Sequence, residues 1–296
     1  MAGFLLTSVA IPAAFTDTGL LFALGYLVLN GVHLIMFSRS DARAVVPRLA
    51  SYNLGAALLI VLAAFVDAPA TYALWLAAAL VQAALPYLTP GHSWIRVAST
   101  FHVSAGHFVE RHGLLVIIAL GETVVAIGAG VDVRHVTAGT AGAIVMGLAL
   151  PAAMWWTYFT DTRNAVASLT TATPSARTHL AARTYVLPHY LILLGIIATA
   201  AGIHAAVSHP GEPASIGAAL ALSGGVALFL TGVAGARLGL RLGLPLARPA
   251  GATAALATLP LGIGTVAGAQ LAAAIGVLTV MPLAGPLRGE PHTATT

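Results

Sequence analysis

The sequence predicts an all-α membrane protein, a polytopic transmembrane helix bundle of about ten helices, and three observations carry that expectation. Hydrophobic residues make up 58% of the chain and charged residues 7%, whereas a soluble domain carries about 25% charged residues. A surface facing water cannot be built from this composition, so lipid must serve as solvent. Apolar segments long enough to be membrane helices recur along the whole chain. The loops between them alternate between arginine-rich and arginine-poor.

In chain order, the apolar segments run roughly 1–16, 19–37, 51–66, 71–88, 105–130, 137–160, 184–207, 215–235, 251–268 and 270–285. The first, MAGFLLTSVAIPAAF, lacks the basic start of a signal peptide and reads as a membrane segment. The fifth is the longest and the least uniform, since it carries charge. The last two read equally well as one hairpin broken around Pro260 and Gly268. Unpaired backbone is too costly in hydrocarbon for anything but helices or closed barrels, and these segments are too long and uniformly apolar for barrel strands. The longest loop, Asp161 to Arg183, is rich in Ser, Thr and Ala, with room for a short amphipathic piece. Residues 1–287 are expected to form a single transmembrane domain, and 288–296 (RGEPHTATT) a disordered cytoplasmic tail. No internal repeat supports an inverted-repeat architecture.

The loops orient the chain. All thirteen basic residues are arginine. Arg39, Arg43 and Arg48, then Arg96, then Arg163, Arg177 and Arg183, then Arg237, Arg241 and Arg248, and finally Arg288 fall in alternate loops. The intervening loops hold Asp17, Asp67, Asp132 and Glu212, with Arg134 as their one arginine. By the positive-inside rule, both termini are cytoplasmic in a multi-pass protein.

Several functions are disfavoured. There is no cysteine, which removes disulfides and thiolate chemistry together. The net charge of +4 is diffuse and gives nucleic acid no basic face. GIGTVAG at Gly262 follows no strand, so it reads as small-residue helix packing rather than a nucleotide loop. No nucleophile is paired with a base, and His107, Glu110 and His112 do not share the face a metal would need. The expectation is therefore a protein that is not an enzyme, without metal or cofactor, whose partners are the lipid bilayer and a small solute or proton.

The candidate polar residues are Glu110, Arg111, His112, Glu122, Asp161, Tyr185 and His189. Glu122 lies just past the midpoint of segment 105–130, and a carboxylate within a membrane is a functional candidate by default. It reads either as a proton or ion group or as a protonated carboxyl with a purely structural hydrogen bond. Arg111 shares its stripe within roughly 20° but stands about 16 Å away along the axis, too far to pair. Gly121 and Gly128 lie on a neighbouring stripe that permits close helix packing. Glu110, Arg111 and His112 lie about one turn inside the cytoplasmic boundary, where a salt-bridge cluster with Asp161 or Arg183 would hold helix ends in register. An inner gate is the competing reading. RTYVLPHY places Tyr185, His189 and Tyr190 in the first turns of a helix, where Pro188 would disturb the hydrogen-bond ladder. His189 is either a proton relay or a packing histidine. MWWTYFTD, 154–161, reads as an aromatic belt at the interface.

At HFVERHGLLVIIALGETVVAIG the chain resembles the bacterial low temperature requirement protein A family. That family's hallmark helix is of the type ERxGLxxIIxLGE. Glu110, Arg111, Gly113, Leu114, Ile117, Ile118, Leu120, Gly121 and Glu122 occupy its positions here. The likeness extends to AIPAAF with LLFALGYLVLN, to MWWTYF and to RTYVLPHY, and so covers most of the chain. It implies a polytopic protein of the bacterial plasma membrane, linked by name to growth in the cold, with no established biochemical activity. One departure is visible: the usual opening segment of the type VELFFDLVFVFA, and the aromatic span after it, have no counterpart. The chain is therefore expected to lack the usual N-terminal helices. Two functions compete: a proton-linked transporter using Glu122, and a non-transporting structural or regulatory membrane protein that supports growth in the cold.

The arginine asymmetry generates a direct test. With no native cysteine, single cysteines placed at Ser40, Ser175 and Ser208 report topology through an impermeant thiol reagent in intact cells. Labelling is expected at position 208 alone; labelling at 40 or 175 would invert the orientation.

Overall fold

The computed structural model describes residues 1–40, 43–88, 104–131, 137–242 and 246–280. Among them there is no strand, and every predicted segment overlaps a helix. The helices are α1 (Ala2–Ala10), α2 (Gly19–Ser38), α3 (Val46–Ala63), α4 (Ala70–Leu88), α5 (Ala105–Gly130), α6 (Ala138–Phe159), α7 (Thr162–Thr171), α8 (Pro174–Tyr185), α9 (Leu187–Ser208), α10 (Ile216–Gly239), α11 (Ala247–Ala257), α12 (Leu259–Gly264) and α13 (Ala267–Val280). The expected tail at 288–296, together with Arg96, Asp132, Arg134 and Arg288, lies outside the described residues.

Among the described residues, five apolar stretches are long enough to cross a bilayer: Gly19–Ser38, Ala105–Gly130, Ala138–Thr171, Pro174–Ser208 and Ile216–Gly239. α5, with 26 residues, extends about 39 Å, which exceeds the roughly 30 Å of hydrocarbon. Two expectations are corrected. The loop Asp161–Arg183 is a pair of helices, α7 and α8. Thr173 caps α8 by accepting from the amide of Ala176, with Pro174 in the first turn. Arg177 then donates to the last carbonyls of α7, at Leu169, Thr170 and Ala172. Pro188 does not disturb a ladder. The chain breaks at Val186, and Pro188 occupies the first turn of α9, where a missing amide proton costs nothing.

The chain divides into two compact units, Met1–His102 and Val103–Thr296. In the first, α2, α3 and α4 close on Ala23, Ala56, Ile60 and Ala78. Trp75 meets Phe15 and Phe22, and Gln82 Nε2 donates to the Tyr26 hydroxyl at 2.6 Å. α1 lies so close to α2 that a Cβ at Gly25 would stand 2.5 Å from Thr7 Oγ1.

The second unit is built on an antiparallel hairpin of α9 and α10. Gly195 lies opposite Phe229, Gly202 opposite Leu222, and Gly232 opposite Pro188. A Cβ at Gly195 would fall 2.5 Å from the Phe229 amide nitrogen, and one at Gly202 2.6 Å from Leu222 Cα. Contact this close is how helices associate where lipid removes the hydrophobic drive. α5, α6 and α13 pack around the hairpin, burying Val116, Leu150, Ile196, Phe229 and Leu271. At the far end, the loop after α9 is tied to the α12–α13 turn by backbone bonds from Ala214 to Gly262, Ala267 to Glu212 and Gly268 to Pro210. Buried Gln270 adds a bond to the Ala219 carbonyl, 2.9 Å.

Adjacent glycines separate packing from propensity. A Cβ at Gly225 would fall 2.5 Å from the Thr199 amide, while Gly224 has nothing within 4 Å. Gly225→Ala is expected to lower stability by about 1–3 kcal/mol through overpacking. Gly224→Ala should be neutral or stabilising by up to about 1 kcal/mol, since Ala is the better helix former. Thermal unfolding of both variants in one detergent checks the contrast.

Candidate functional site

The polar side chains of the second unit converge at the end of the bundle where α6 gives way to α7 and α10 to α11. Asp161 precedes the first residue of α7 but does not cap it with its side chain. Its carboxylate instead accepts from two guanidinium groups, Arg237 Nη1 on one oxygen and Arg248 Nη2 on the other, the latter at 3.3 Å. Arg237 lies in the last turn of α10, where a cation also suits the helix dipole. Its Nη2 donates to the Leu242 carbonyl at 3.0 Å. The three side chains are only 14–21% exposed, so this is a largely desolvated cluster joining three helix ends. Burial first and neighbouring Arg237 second lower the pKa of Arg248, and Asp161 opposes them.

Beside this cluster lies a cavity of about 40 Å³. Asp161, Arg237, Tyr158, Thr184, Tyr185 and His189 supply its polar lining. Space of that size holds on the order of one to three waters. Two of these groups lack a protein partner although they are almost fully buried: His189 Nε2, on a residue 3% exposed, and Thr184 Oγ1, on one 1% exposed. Buried polar atoms ordinarily find partners, so each such atom calls for an explanation. Thr184 is unusual within this fold. The buried threonines Thr157, Thr178 and Thr199 all turn their hydroxyls back to the carbonyl four residues earlier. The Thr184 hydroxyl is instead directed at α10. A Cβ at Gly239 would lie 2.6 Å from it, so glycine there leaves it room. Arg237 and Arg248 each also keep a buried Nε without an acceptor.

A second layer of rings holds His189. His112 of α5 meets the His189 ring at 5.0 Å and the Tyr185 ring at 4.5 Å. Its Nδ1 lies 2.8 Å from the Phe108 carbonyl, which assigns the proton to that nitrogen. Tyr158 and Tyr185 flank His189 at 6.0 and 5.7 Å.

Of the seven expected residues, the structure thus brings Asp161, Tyr185, His189 and His112 together. It leaves the other three apart. Glu110, Arg111 and Glu122 are exposed on α5. Arg111 is not held by Asp161 or Glu110, as its position suggested; its Nε faces His107 Nε2 at 3.3 Å. Asp161 takes its partners from residues the sequence offered only as topology anchors. Arg237, Arg248 and Thr184 escape a reading by position along one helix. Tyr158 belongs to MWWTYF; Trp155 and Trp156 of that stretch are exposed, while Tyr158 turns inward. Among the described residues, no three His, Asp or Glu side chains gather as metal ligands would.

A family model described as bacterial low temperature requirement A protein matches residues 1–283. A protein of Rhizobium meliloti (strain 1021), named uncharacterized protein RA0937, is 29% identical over 236 residues. The match covers 76% of this chain and 57% of that protein, so the chain spans little more than half the length of its relative. No solved structure matches.

The cluster predicts an order of stabilities. Asp161→Asn leaves two guanidinium groups facing each other without their carboxylate. Breaking a fully buried pair costs about 3–5 kcal/mol, and partial exposure reduces that to roughly 1–3 kcal/mol. Exposed Glu110→Gln should change stability by less than about 0.5 kcal/mol. Thermal unfolding of the two variants gives the order, and equal effects would mean the cluster contributes nothing net.

Proposed function

The chain belongs to the bacterial low temperature requirement A family, and from that premise we propose that it is a proton-linked transporter of a small solute in the bacterial membrane. In this reading, the cavity beside His189 is the solute site and Glu122 is the intramembrane proton carrier. The supporting observation is the pair of almost fully buried, unpartnered groups, His189 Nε2 and Thr184 Oγ1, lining one cavity at the end of the helix bundle. A purely structural core would be expected to satisfy these atoms or replace them with apolar ones. Glu122 supports the reading by its depth: a carboxylate halfway along a 26-residue apolar helix has little other reason to be there. Both termini are cytoplasmic in this scheme, which puts the cavity at the inner face, beside the arginine-rich loops.

The ion cluster favours a second reading. Asp161 with Arg237 and Arg248 fastens three helix ends, as a non-transporting structural or regulatory protein supporting growth in the cold would require.

Reconstitution separates the two. Vesicles carrying the purified chain and a trapped pH dye are expected to dissipate an imposed pH gradient faster than protein-free vesicles. Glu122→Gln should slow the flux at least tenfold. Flux no faster than in protein-free vesicles, with restoration of cold growth in a deficient strain, would leave the structural reading in place.

A further inference from the structure

The solute proposed above has no chemical class assigned, and the inventory of groups around the cavity supplies one. Donors dominate. The guanidinium groups of Arg237 and Arg248 carry two positive charges, against the single negative charge of Asp161. Among the described residues no other carboxylate lines the cavity: Glu110, Glu122 and Glu212 are exposed, and none of them is among its lining residues. Both oxygens of Asp161 are already engaged by arginine. The Thr184 hydroxyl lacks the back-bond to its own helix that buried Thr157, Thr178 and Thr199 make, so its proton is free to be given outward. His189 Nε2 has no protein partner, and it donates in the tautomer that carries the proton there. Tyr158 and Tyr185 line the same wall. A cation would meet surplus positive charge here, and a neutral acceptor would leave that charge unanswered.

From this arrangement we infer that the cavity is a binding site for a small inorganic or one-carbon anion, held by hydrogen bonds from His189 Nε2 and Thr184 Oγ1 and neutralised by the net positive charge of the Asp161 cluster, of which Arg237 lines the cavity and Arg248 stands behind Asp161. Size narrows the class. At about 40 Å³ the cavity takes a halide, or an oxyanion of a few atoms such as formate or bicarbonate. Gly239 is a specificity element, because any side chain there would close on Thr184 Oγ1. The inference rests on the transport reading for its biological meaning but not for its physical test.

The test uses the full chain purified in detergent, with sodium formate and sodium chloride as probes and sodium gluconate, too large for the cavity, holding ionic strength constant. Formate or chloride is expected to raise the unfolding temperature saturably, with no effect of gluconate. Thr184→Val, close to isosteric, and His189→Leu should each weaken the half-saturating concentration at least tenfold, while Thr184→Ser, which keeps the hydroxyl, should stay within threefold of the parent. Equal stabilisation by all three salts, or no change in the Val and Leu variants, would overturn the site and mean that water alone fills the cavity. A parallel arm in nanodiscs compares zwitterionic lipid with added phosphatidylglycerol. Stabilisation only with the anionic lipid would also overturn the inference, assigning the donors to a headgroup phosphate. Failure here with Glu122-dependent proton flux intact would remove the anion and leave transport standing. Saturable anion binding without any flux would do the reverse.

Discussion

The second unit depends on how closely α9 and α10 approach each other. In lipid, burying apolar surface gives no advantage to helix association, so contact itself must supply the attraction. The glycines at 195, 202, 225 and 232 allow backbone to meet backbone across the hairpin, at distances no side chain would tolerate. The consequence reaches the site directly. His189 lies in the first turn of α9, and Arg237 in the last turn of α10. Thr184, near the end of α8, faces Gly239 across the same junction. Their relative positions are thus set by a stack of rigid contacts rather than by the loops, and a rigid scaffold is what a site of a few tenths of an ångström tolerance needs.

At that end the hairpin stops closing on itself and polar groups replace glycine. The Asp161 cluster gathers the start of α7, the end of α10 and the start of α11, and its carboxylate is fully used by two arginines. A desolvated ion trio of this kind is not a strong source of stability, because the cost of removing charge from water offsets most of the attraction. Its more specific effect is geometric. It holds Arg237 against the cavity wall, and Arg237 is also tied to the Leu242 carbonyl. Without Asp161, two like charges would share the site, and the arrangement of α10 against α11 would have to change.

The helical architecture was legible from the chain because its two signals are local. Long apolar runs and arginine-bearing loops need no knowledge of what packs against what, and segment 105–130 coincides with α5. The hidden features arise from contacts between residues distant in sequence. Asp161 finds Arg237 and Arg248, more than seventy residues away, where the sequence offered the nearer Arg111 and Arg183. The helix pair α7–α8 was obscured by low hydropathy, since its apolar face is narrow (Ala165, Leu169 and Ala181) and caps and the Arg177 bonds supply the rest of its order. Pro188 has two possible effects, breaking a ladder or opening a helix, and only the break at Val186 decides between them. One usable signal did exist for Tyr158. It follows buried Met154 by four positions, on the face opposite the outward Trp156, so helical periodicity alone turns it inward.

α5 links the two parts of the proposed mechanism, and its geometry limits how they can be coupled. Val109 lines the cavity, His112 touches the ring of His189, and Gly113 packs on Phe159. Glu122 lies ten residues beyond His112, about 15 Å along the axis and about 80° around it. Glu110, Arg111, Leu114, Ile117, Ile118, Gly121 and Glu122, most of the stretch that resembles the family hallmark, lie on the exposed side of this helix. A proton on Glu122 therefore cannot reach an occupant of the cavity by direct contact. Any linkage must pass through displacement or rotation of α5, which would carry His112 against His189 as the outward face changes its surroundings. A Cβ at Gly121 or Gly128 would meet nothing within 4 Å, whereas one at Gly130 would fall 2.9 Å from the His204 carbonyl, so α5 is fixed to α9 at that end and not along its outward face.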